Sequence, residues 1–137
     1  MEKSYKILID TNFFFLPFYE NYDVLQEIPN FLERNQMLAE GYYTLKKNIW
    51  EIENKLKTAK SQKWKNIYKL VLEYIRKNNV KIIDTPVNKN TDHLIVETVI
   101  KDPYNWVVCT QDKNLRDILR KLKIKVIYYA EKELHML

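Results

Sequence analysis

The sequence predicts an α/β protein in which a mostly parallel central sheet is covered by helices on both faces, giving a three-layer α/β/α architecture. Two observations carry this prediction. Short apolar runs typical of buried strands alternate along the chain with longer segments of helical periodicity. The length of 137 residues is enough for one compact core and leaves little room for a second. Residues 1–137 are therefore expected to form a single domain.

Strands are expected where a short apolar run is bounded by polar residues. Four runs meet this description: YKILID at residues 5–10, VKIID at 80–84, NWVVCT at 105–110 and KVIYYA at 125–130. The segment MLAEGYY at 37–43 is a further candidate strand. Because helical segments separate most of these runs, the strands are expected to pair in parallel.

Helices are expected where apolar residues recur at spacings of three and four. The pattern is strongest at residues 61–79, where Trp64, Ile67, Val71 and Ile75 share one face and lysines occupy the other. Further helices are predicted at residues 23–35, 44–56, 91–101 and 112–122. The last two open with Thr91 and Asp112 in capping positions. Pro29 is expected to bend or divide the helix at 23–35, and residues 84–92 are expected to form an exposed loop.

Composition excludes several classes of protein. Gly41 is the only glycine, so the glycine-rich loops that bind dinucleotides or nucleoside triphosphates cannot be built. Cys109 is the only cysteine and has apolar neighbours, which favours a buried structural thiol. With His93 and His135 as the only histidines, a conventional structural zinc site cannot be assembled.

Localisation follows from what the sequence lacks. The start of the chain reaches an acid before any apolar stretch long enough for a signal peptide. No segment approaches the length needed to span a bilayer. A cytoplasmic protein without a membrane partner is therefore expected.

Charge is distributed unevenly along the chain, whose formal net charge is +5. Residues 1–40 are acidic, whereas residues 44–81 carry a balance of +8. A second basic run occupies residues 113–125. Clustered positive charge favours a polyanion such as a nucleic-acid backbone. The alternative, a lysine-rich helix face that is only solvated, fits either run taken alone.

Three aspartates lie where the predicted fold would bring them together. Asp10 ends the first strand, Asp112 follows the strand at 105–110, and Asp92 begins the helix that leads into that strand. Ligands of open α/β sheets bind outside the carboxyl ends of the strands. A carboxylate cluster there suits Mg²⁺ or Mn²⁺ and phosphodiester hydrolysis. Each aspartate taken alone is equally consistent with helix capping.

Three segments together resemble the PIN domain family, the PilT N-terminus-like metal-dependent ribonucleases, especially the small archaeal type. They are ILIDTN at residues 7–12, TDHLIV at 91–96 and VVCTQDKNLRDILRKLKIKVIYY at 107–129. The resemblance implies an endoribonuclease that hydrolyses single-stranded or structured RNA with Mg²⁺ or Mn²⁺. It assigns catalysis and metal binding to Asp10, Asp92 and Asp112, with Asn12 and Thr110 in supporting roles. The basic helices would hold RNA phosphates, and Lys46, Lys47, Lys113 and Arg116 are the candidate contacts.

The family also supplies a glutamate early in the helix after the second strand. Here the apolar spacing of that motif is met by Ile49 and Ile52, which places Asn48 at the glutamate position. Helical phase puts Asn48 beside the apolar stripe and points Glu51 well away from it. Glu51 fills the position only if the helix starts later or turns. His93 stands where the family often has another acid, and a helix-surface role is expected for it.

Two other functions remain open on the sequence. The departure at the fourth acidic position favours a PIN-fold RNA-binding scaffold in ribosome or RNA processing that has lost efficient catalysis. The toxin component of a toxin–antitoxin pair is the other reading, and its partner would be a small antitoxin. A homodimer is common among the proteins that this chain resembles.

Overall fold

A six-stranded sheet forms the centre of the computed structural model, which describes residues 2–137. The strands in chain order are β1 Lys3–Ile9, β2 Met37–Leu45, β3 Lys81–Ile83, β4 Trp106–Cys109, β5 Lys125–Ala130 and β6 Glu133–Met136. Their order across the sheet is β3-β2-β1-β4-β5-β6. Every neighbouring pair is parallel except β5 and β6, which pair as an antiparallel hairpin. The predicted fold class is therefore confirmed.

Helices cover both faces of this sheet. A 3₁₀ turn at Thr11–Phe15 precedes α1 Leu16–Tyr19, α2 Val24–Arg34, α3 Lys46–Thr58, α4 Gln62–Lys77, α5 Thr91–Ile100 and α6 Lys113–Lys121. Apolar residues of α2, α3 and α4 pack in one core cluster with Ile7 and Ile9 of β1. Residues of α5 and α6 pack on the other face with Leu8. The alternation of Ile7, Leu8 and Ile9 between the two clusters is the period of two expected of a strand buried on both faces.

The chain changes direction across the sheet at β1. It runs outward from β1 through β2 to β3, and then returns to place β4 on the opposite side of β1. Ile9 lies opposite Cys109 in the β1–β4 ladder, and the Asp10 amide donates to the Cys109 carbonyl at 2.9 Å. Such a switch point leaves a crevice at the carboxyl ends of the two strands. The fold therefore places Asp10 and Thr110 at the edge of that crevice.

Most predicted elements are present, and the differences have physical reasons. All five candidate strands form, but β6 was not predicted because its sequence, ELHM, shows no apolar run. Pro29 lies inside an α2 that is continuous rather than divided, with apolar residues buried on both sides of it. The cap of α5 is Asn90 instead of Thr91, since the Asn90 side chain accepts from the His93 amide at 3.1 Å.

Two expectations drawn from composition can be compared with the structure. Cys109 is fully buried, and burial raises the pKa of its thiol far above the ordinary value. A thiol held neutral in this way is unreactive, as expected for a structural residue. Across residues 2–137, the helices are each too short or too polar to cross a bilayer.

Replacing Leu8 with alanine tests the importance of the central strand. Leu8 is completely buried in β1, so Leu8→Ala should lower the free energy of unfolding by about 2–5 kcal/mol through lost burial and the cavity left behind. Leu38→Ala in β2 is the matched control, because Leu38 is 44% exposed and should cost less than about 1 kcal/mol. Urea denaturation measures both values. Equal losses in the two variants would contradict the burial assigned to β1.

Candidate functional site

A cavity of about 470 Å³ opens at the carboxyl edge of the sheet, next to the junction of β1 and β4. Five acidic side chains are in its lining: Asp10, Glu20, Glu51, Asp92 and Asp112. They come from separate elements, so the tertiary fold alone brings them together. One basic residue, Lys55, is also in the lining. The three aspartates singled out in the sequence therefore share one cavity.

Asp10 is the most buried of these acids, with 6% of its surface exposed. Its Oδ1 accepts from the Thr11 amide at 2.8 Å and from the Asn48 side-chain amide at 3.0 Å, and its Oδ2 accepts from the Thr110 hydroxyl at 2.7 Å. Burial raises the pKa of Asp10 to about 6 in spite of the hydrogen bonds from Thr110 and Thr11, and the charges of Glu51 and Asp92 add to the rise.

Thr110 connects Asp10 to Asp112. While its hydroxyl donates to Asp10, the Thr110 oxygen also accepts from the Asp112 amide at 3.1 Å. Asp112 Oδ1 in turn accepts from the Leu115 amide at 3.1 Å and caps α6. The helix-capping and functional interpretations of Asp112 are therefore compatible. One carboxylate begins the helix and lines the cavity.

Asp92 reaches the cavity from the first turn of α5. Its pKa is raised by partial burial, then by the neighbouring charges of Asp112 and Glu51. Asp92 therefore lies close enough to Asp112 and Glu51 for their negative charges to oppose its ionisation. His93, the next residue, lies on the helix surface with its Nε2 3.6 Å from Glu97 Oε1. The helix-surface role expected for His93 is confirmed.

Asn48 and Glu51, the two candidates for the fourth acidic position, occupy different places. Asn48 is fully buried: its side-chain oxygen accepts from the Leu45 amide at 3.0 Å, and its amide nitrogen donates to Asp10 and, at 2.8 Å, to the Thr11 hydroxyl. Glu51 lines the cavity, and its Oε1 accepts from the Thr11 hydroxyl at 2.9 Å.

Glu51, which helical phase sets well away from the apolar stripe, nevertheless faces the cavity. Spacings of three and four place Asn48, Glu51 and Lys55 on one flank of α3. That flank faces the cavity, while Ile52 on the adjoining stripe is buried in the core. Helical phase correctly separated Glu51 from the core stripe, but it could not tell which flank of the helix meets the sheet edge.

The remaining supporting residues hold the loop after β4. Asn12 Oδ1 accepts from the Gln111 amide at 3.2 Å. The Gln111 side chain pairs with the backbone of Tyr129 in β5, donating to its carbonyl at 2.8 Å and accepting from its amide at 2.6 Å. Asn12 could be named from the sequence, whereas the roles of Gln111 and Thr11 could not. Both residues lie inside the segments at 7–12 and 107–129, but their roles depend on contacts between distant parts of the chain.

None of the four basic residues chosen as RNA contacts is in the lining of the acidic cavity. Lys46 is 3.7 Å from Asp84, and the Lys47 ammonium donates to the Val87 carbonyl at 2.6 Å. Lys113 is exposed in the first turn of α6. Arg116 is partly buried with its guanidinium 4.6 Å from the centre of the Tyr128 ring, and its Nε has no hydrogen-bond partner within residues 2–137.

The donor set suits a hydrated divalent cation. Among residues 2–137, no three acidic, histidine or cysteine side chains lie close enough to hold one ion directly. Mg²⁺ retains several waters, however, and needs only one or two carboxylates beside a substrate phosphate. The five acids are hard oxygen donors, and none of them pairs with a cationic side chain in the described chain. Burial is the main cause of the raised pKa values of Asp10 and Asp92, and neighbouring negative charge, which a cation would offset, adds to both.

The fold is an open α/β sheet with an acidic cavity at its switch point. The chain is similar to a solved structure described as "Structure of the PIN domain endonuclease Utp24", with a TM-score of 0.74 and 19% sequence identity. The similarity covers 96% of this chain and 90% of the other. At this identity the shared feature is the fold, and the chain has a PIN-like fold. No protein-family model and no curated protein sequence matches it.

Asp10 should make the stability of the metal-free protein depend on pH. Its folded-state pKa is raised, so the folded protein binds more protons than the unfolded chain between about pH 4 and pH 6. Stability should therefore fall by about 2–3 kcal/mol as the pH rises through this window. Asp10→Asn should lose that dependence. Urea denaturation in EDTA at pH 4 and pH 7 measures the difference, and parallel curves for the two proteins would argue against it.

The uncharged side chain of Asn48 should contribute strongly to the stability of the fold. Asn48→Asp would place a second carboxylate about 3.0 Å from Asp10 and remove the donors to Asp10 and Thr11. We expect a loss of about 2–4 kcal/mol at pH 7, and less at pH 5 where the pair can hold a proton. Glu51→Gln is the matched control, since its amide oxygen can still accept from Thr11. Thermal unfolding should show a change within about 1 kcal/mol for the control.

Proposed function

We propose that this chain is a divalent-metal-dependent endoribonuclease that hydrolyses phosphodiester bonds of single-stranded or structured RNA. The main support is the convergence of Asp10, Glu51, Asp92 and Asp112 on one cavity at the switch point of a PIN-like sheet. Like charges gathered without a cationic partner cost stability. A function that needs concentrated carboxylates explains why they are together.

The metal ligands in this proposal are Asp10, Asp92 and Asp112, with Glu51 as the fourth acid instead of Asn48. When bound, Mg²⁺ or Mn²⁺ supplies activation of water and neutralisation of charge on the phosphoryl oxygens. Asn48 contributes as a positioning residue, because it fixes Asp10 Oδ1 and the Thr11 hydroxyl together. Thr11 then fixes Glu51, so a single buried amide orients two of the acids.

In the hydrolysis, the oxygen of a water molecule bonds to phosphorus and the bond from phosphorus to one ribose oxygen breaks. The attacking water loses a proton to the solvent and the leaving ribose oxygen gains one from it, so the products are a phosphate monoester and a ribose hydroxyl. Asp92, at the first turn of α5, would help to hold the metal beside the reacting phosphate. The Thr110 hydroxyl bonds to both Asp10 Oδ2 and the Asp112 backbone amide, and so fixes the positions of these two groups relative to each other.

The RNA backbone would follow the basic residues around the cavity. Lys113 and Arg116 on α6 lie on the Asp112 side, and Lys46 and Lys47 begin α3. Lys55 enters this proposal from the structure, since it lines the cavity itself. These contacts position the phosphates without reading the bases.

A catalytically weak RNA-binding scaffold, of the kind that acts in ribosome or RNA processing, is the second candidate. Two observations favour it. Asn48 stands where the resembled family has glutamate, and no three metal-binding side chains within residues 2–137 already form a tight ligand group. Such a protein would keep the basic surface and the fold while cleaving RNA poorly.

Substitution of Asp112 separates the two candidates. Asp112→Asn should retain the cap of α6, because asparagine caps helices about as well as aspartate. It removes one charge from the cavity, so Mn²⁺- or Mg²⁺-dependent cleavage of labelled RNA should fall by at least about 100-fold. Asp84→Asn is the matched control: Asp84 also follows a strand at this edge, but its side chain is 92% exposed and lies outside the cavity. The Asp84→Asn variant should cleave the labelled RNA at the same rate as the wild type.

Three results of this experiment are informative. Cleavage that needs the metal and is lost only in Asp112→Asn supports the nuclease. RNA binding by the wild type with no cleavage in either metal supports the scaffold. Cleavage that both variants retain in full would point to a contaminating enzyme and contradict the assignment of the site.

A further inference from the structure

Four aromatic rings form a continuous wall beside the acidic cavity. This aromatic wall consists of Phe15, Tyr19, Trp64 and Tyr68. Phe15 stacks on Tyr19 with the ring centroids 5.4 Å apart, and Trp64 stacks on Tyr68 at 5.9 Å. Edge contacts of 5.9–6.0 Å join the two pairs. The wall unites the turn and helix after β1 with the start of α4.

The aromatic wall is more exposed than a core cluster. Tyr19 is 55% exposed and Trp64 is 38% exposed, whereas Phe15 beneath them is 5% exposed. Packing explains the buried ring, but it does not explain two large aromatic surfaces left open to water. Exposed aromatic surface next to a candidate site commonly serves binding.

The aromatic wall extends the acidic cavity into a second one. Phe15 and Tyr19 line the acidic cavity, and Trp64 and Tyr68 line an adjoining cavity of about 280 Å³. Lys55 lines both, so the two cavities meet at that residue. A ligand bound at the acids can therefore continue over the rings without leaving the protein surface.

Positive charge accompanies the rings. Lys55 and Lys60 line the second cavity, both are exposed, and neither forms an ion pair in the described part of the chain. Lys63, on the exposed first turn of α4, adds a further charge next to Trp64. Rings for bases alternating with cations for phosphates are the features with which proteins hold single strands.

We propose that the aromatic wall is a base-stacking subsite for an unpaired nucleotide adjacent to the phosphate at the acidic cavity. This inference rests on the proposed function and narrows its substrate class to RNA that is single-stranded at the site. A paired base cannot present its face to Trp64 or Tyr19, because its neighbours in the helix already cover it. The lysines hold the flanking phosphates, and stacking tolerates any of the four bases.

The test compares RNA with and without bases at constant charge. Binding is measured by fluorescence anisotropy in EDTA, in the Asp112→Asn background, so that no strand is cut. The probes are a labelled oligoadenylate, an abasic ribose-phosphate strand of equal length, and a blunt RNA duplex. Trp64→Leu should weaken oligoadenylate binding by about 5- to 100-fold and leave abasic binding unchanged. Tyr104→Leu is the control, because Tyr104 is an exposed aromatic residue, 76% exposed, that lines neither cavity.

Lys55→Gln provides the complementary change. Lys55→Gln should weaken binding of the oligoadenylate and of the abasic strand by the same factor. It should also reduce the salt dependence of binding for both strands, because it removes a phosphate contact. The base-specific loss in Trp64→Leu and the base-independent loss in Lys55→Gln together would identify stacking.

Several outcomes would overturn the inference. Equal binding of all three probes by wild type and Trp64→Leu would do so, as would the absence of binding at low salt. A change of molecular mass in light scattering that accompanies Trp64→Leu would show that the aromatic wall joins copies of the chain or another protein surface. Absence of metal-dependent cleavage by the wild-type protein, with base-specific binding intact, would instead contradict the nuclease proposal alone.

Discussion

The carboxylate of Asp10 is the constraint on which the rest of the site depends. A nearly buried acid at the end of the central strand loses most of its hydration, so the protein must supply hydrogen-bond donors in place of water. Those donors come from the turn after β1, from α3 and from the loop after β4, through Thr11, Asn48 and Thr110. The three segments are fixed relative to one another because each bonds to the same group.

Burying Asp10 and gathering other acids around it lowers the stability of the fold. The donors lower the cost of burying Asp10, but its pKa of about 6 shows that they do not remove it. Glu51, Asp92 and Asp112 add mutual repulsion that a structural site would avoid. Natural proteins keep such unfavourable groups chiefly where activity requires them. The fold offsets the cost with a sheet whose central strand is buried on both faces.

Much of this organisation could be predicted from the sequence. The apolar runs of β1 and β4 are clear in the sequence, Asp10 and Asp112 follow them closely, and Asp92 begins the helix before β4, so the sheet edge and three of its acids could be predicted. Glu51 could not be placed, because the apolar stripe of a helix identifies its buried face but not what meets its flanks. β6 lacked a hydrophobic signal. The aromatic wall depends on contacts between residues about fifty positions apart, which local periodicity does not report.

The order of the strands has a consequence for synthesis of the chain. Asp10 is synthesised about a hundred residues before Thr110 and Asp112, which complete its surroundings. A nascent or truncated polypeptide that ends before β4 has no partner strand on that side of β1 and cannot assemble the acidic crevice. The acidic crevice can therefore form only after β4 and the loop that follows it have been synthesised.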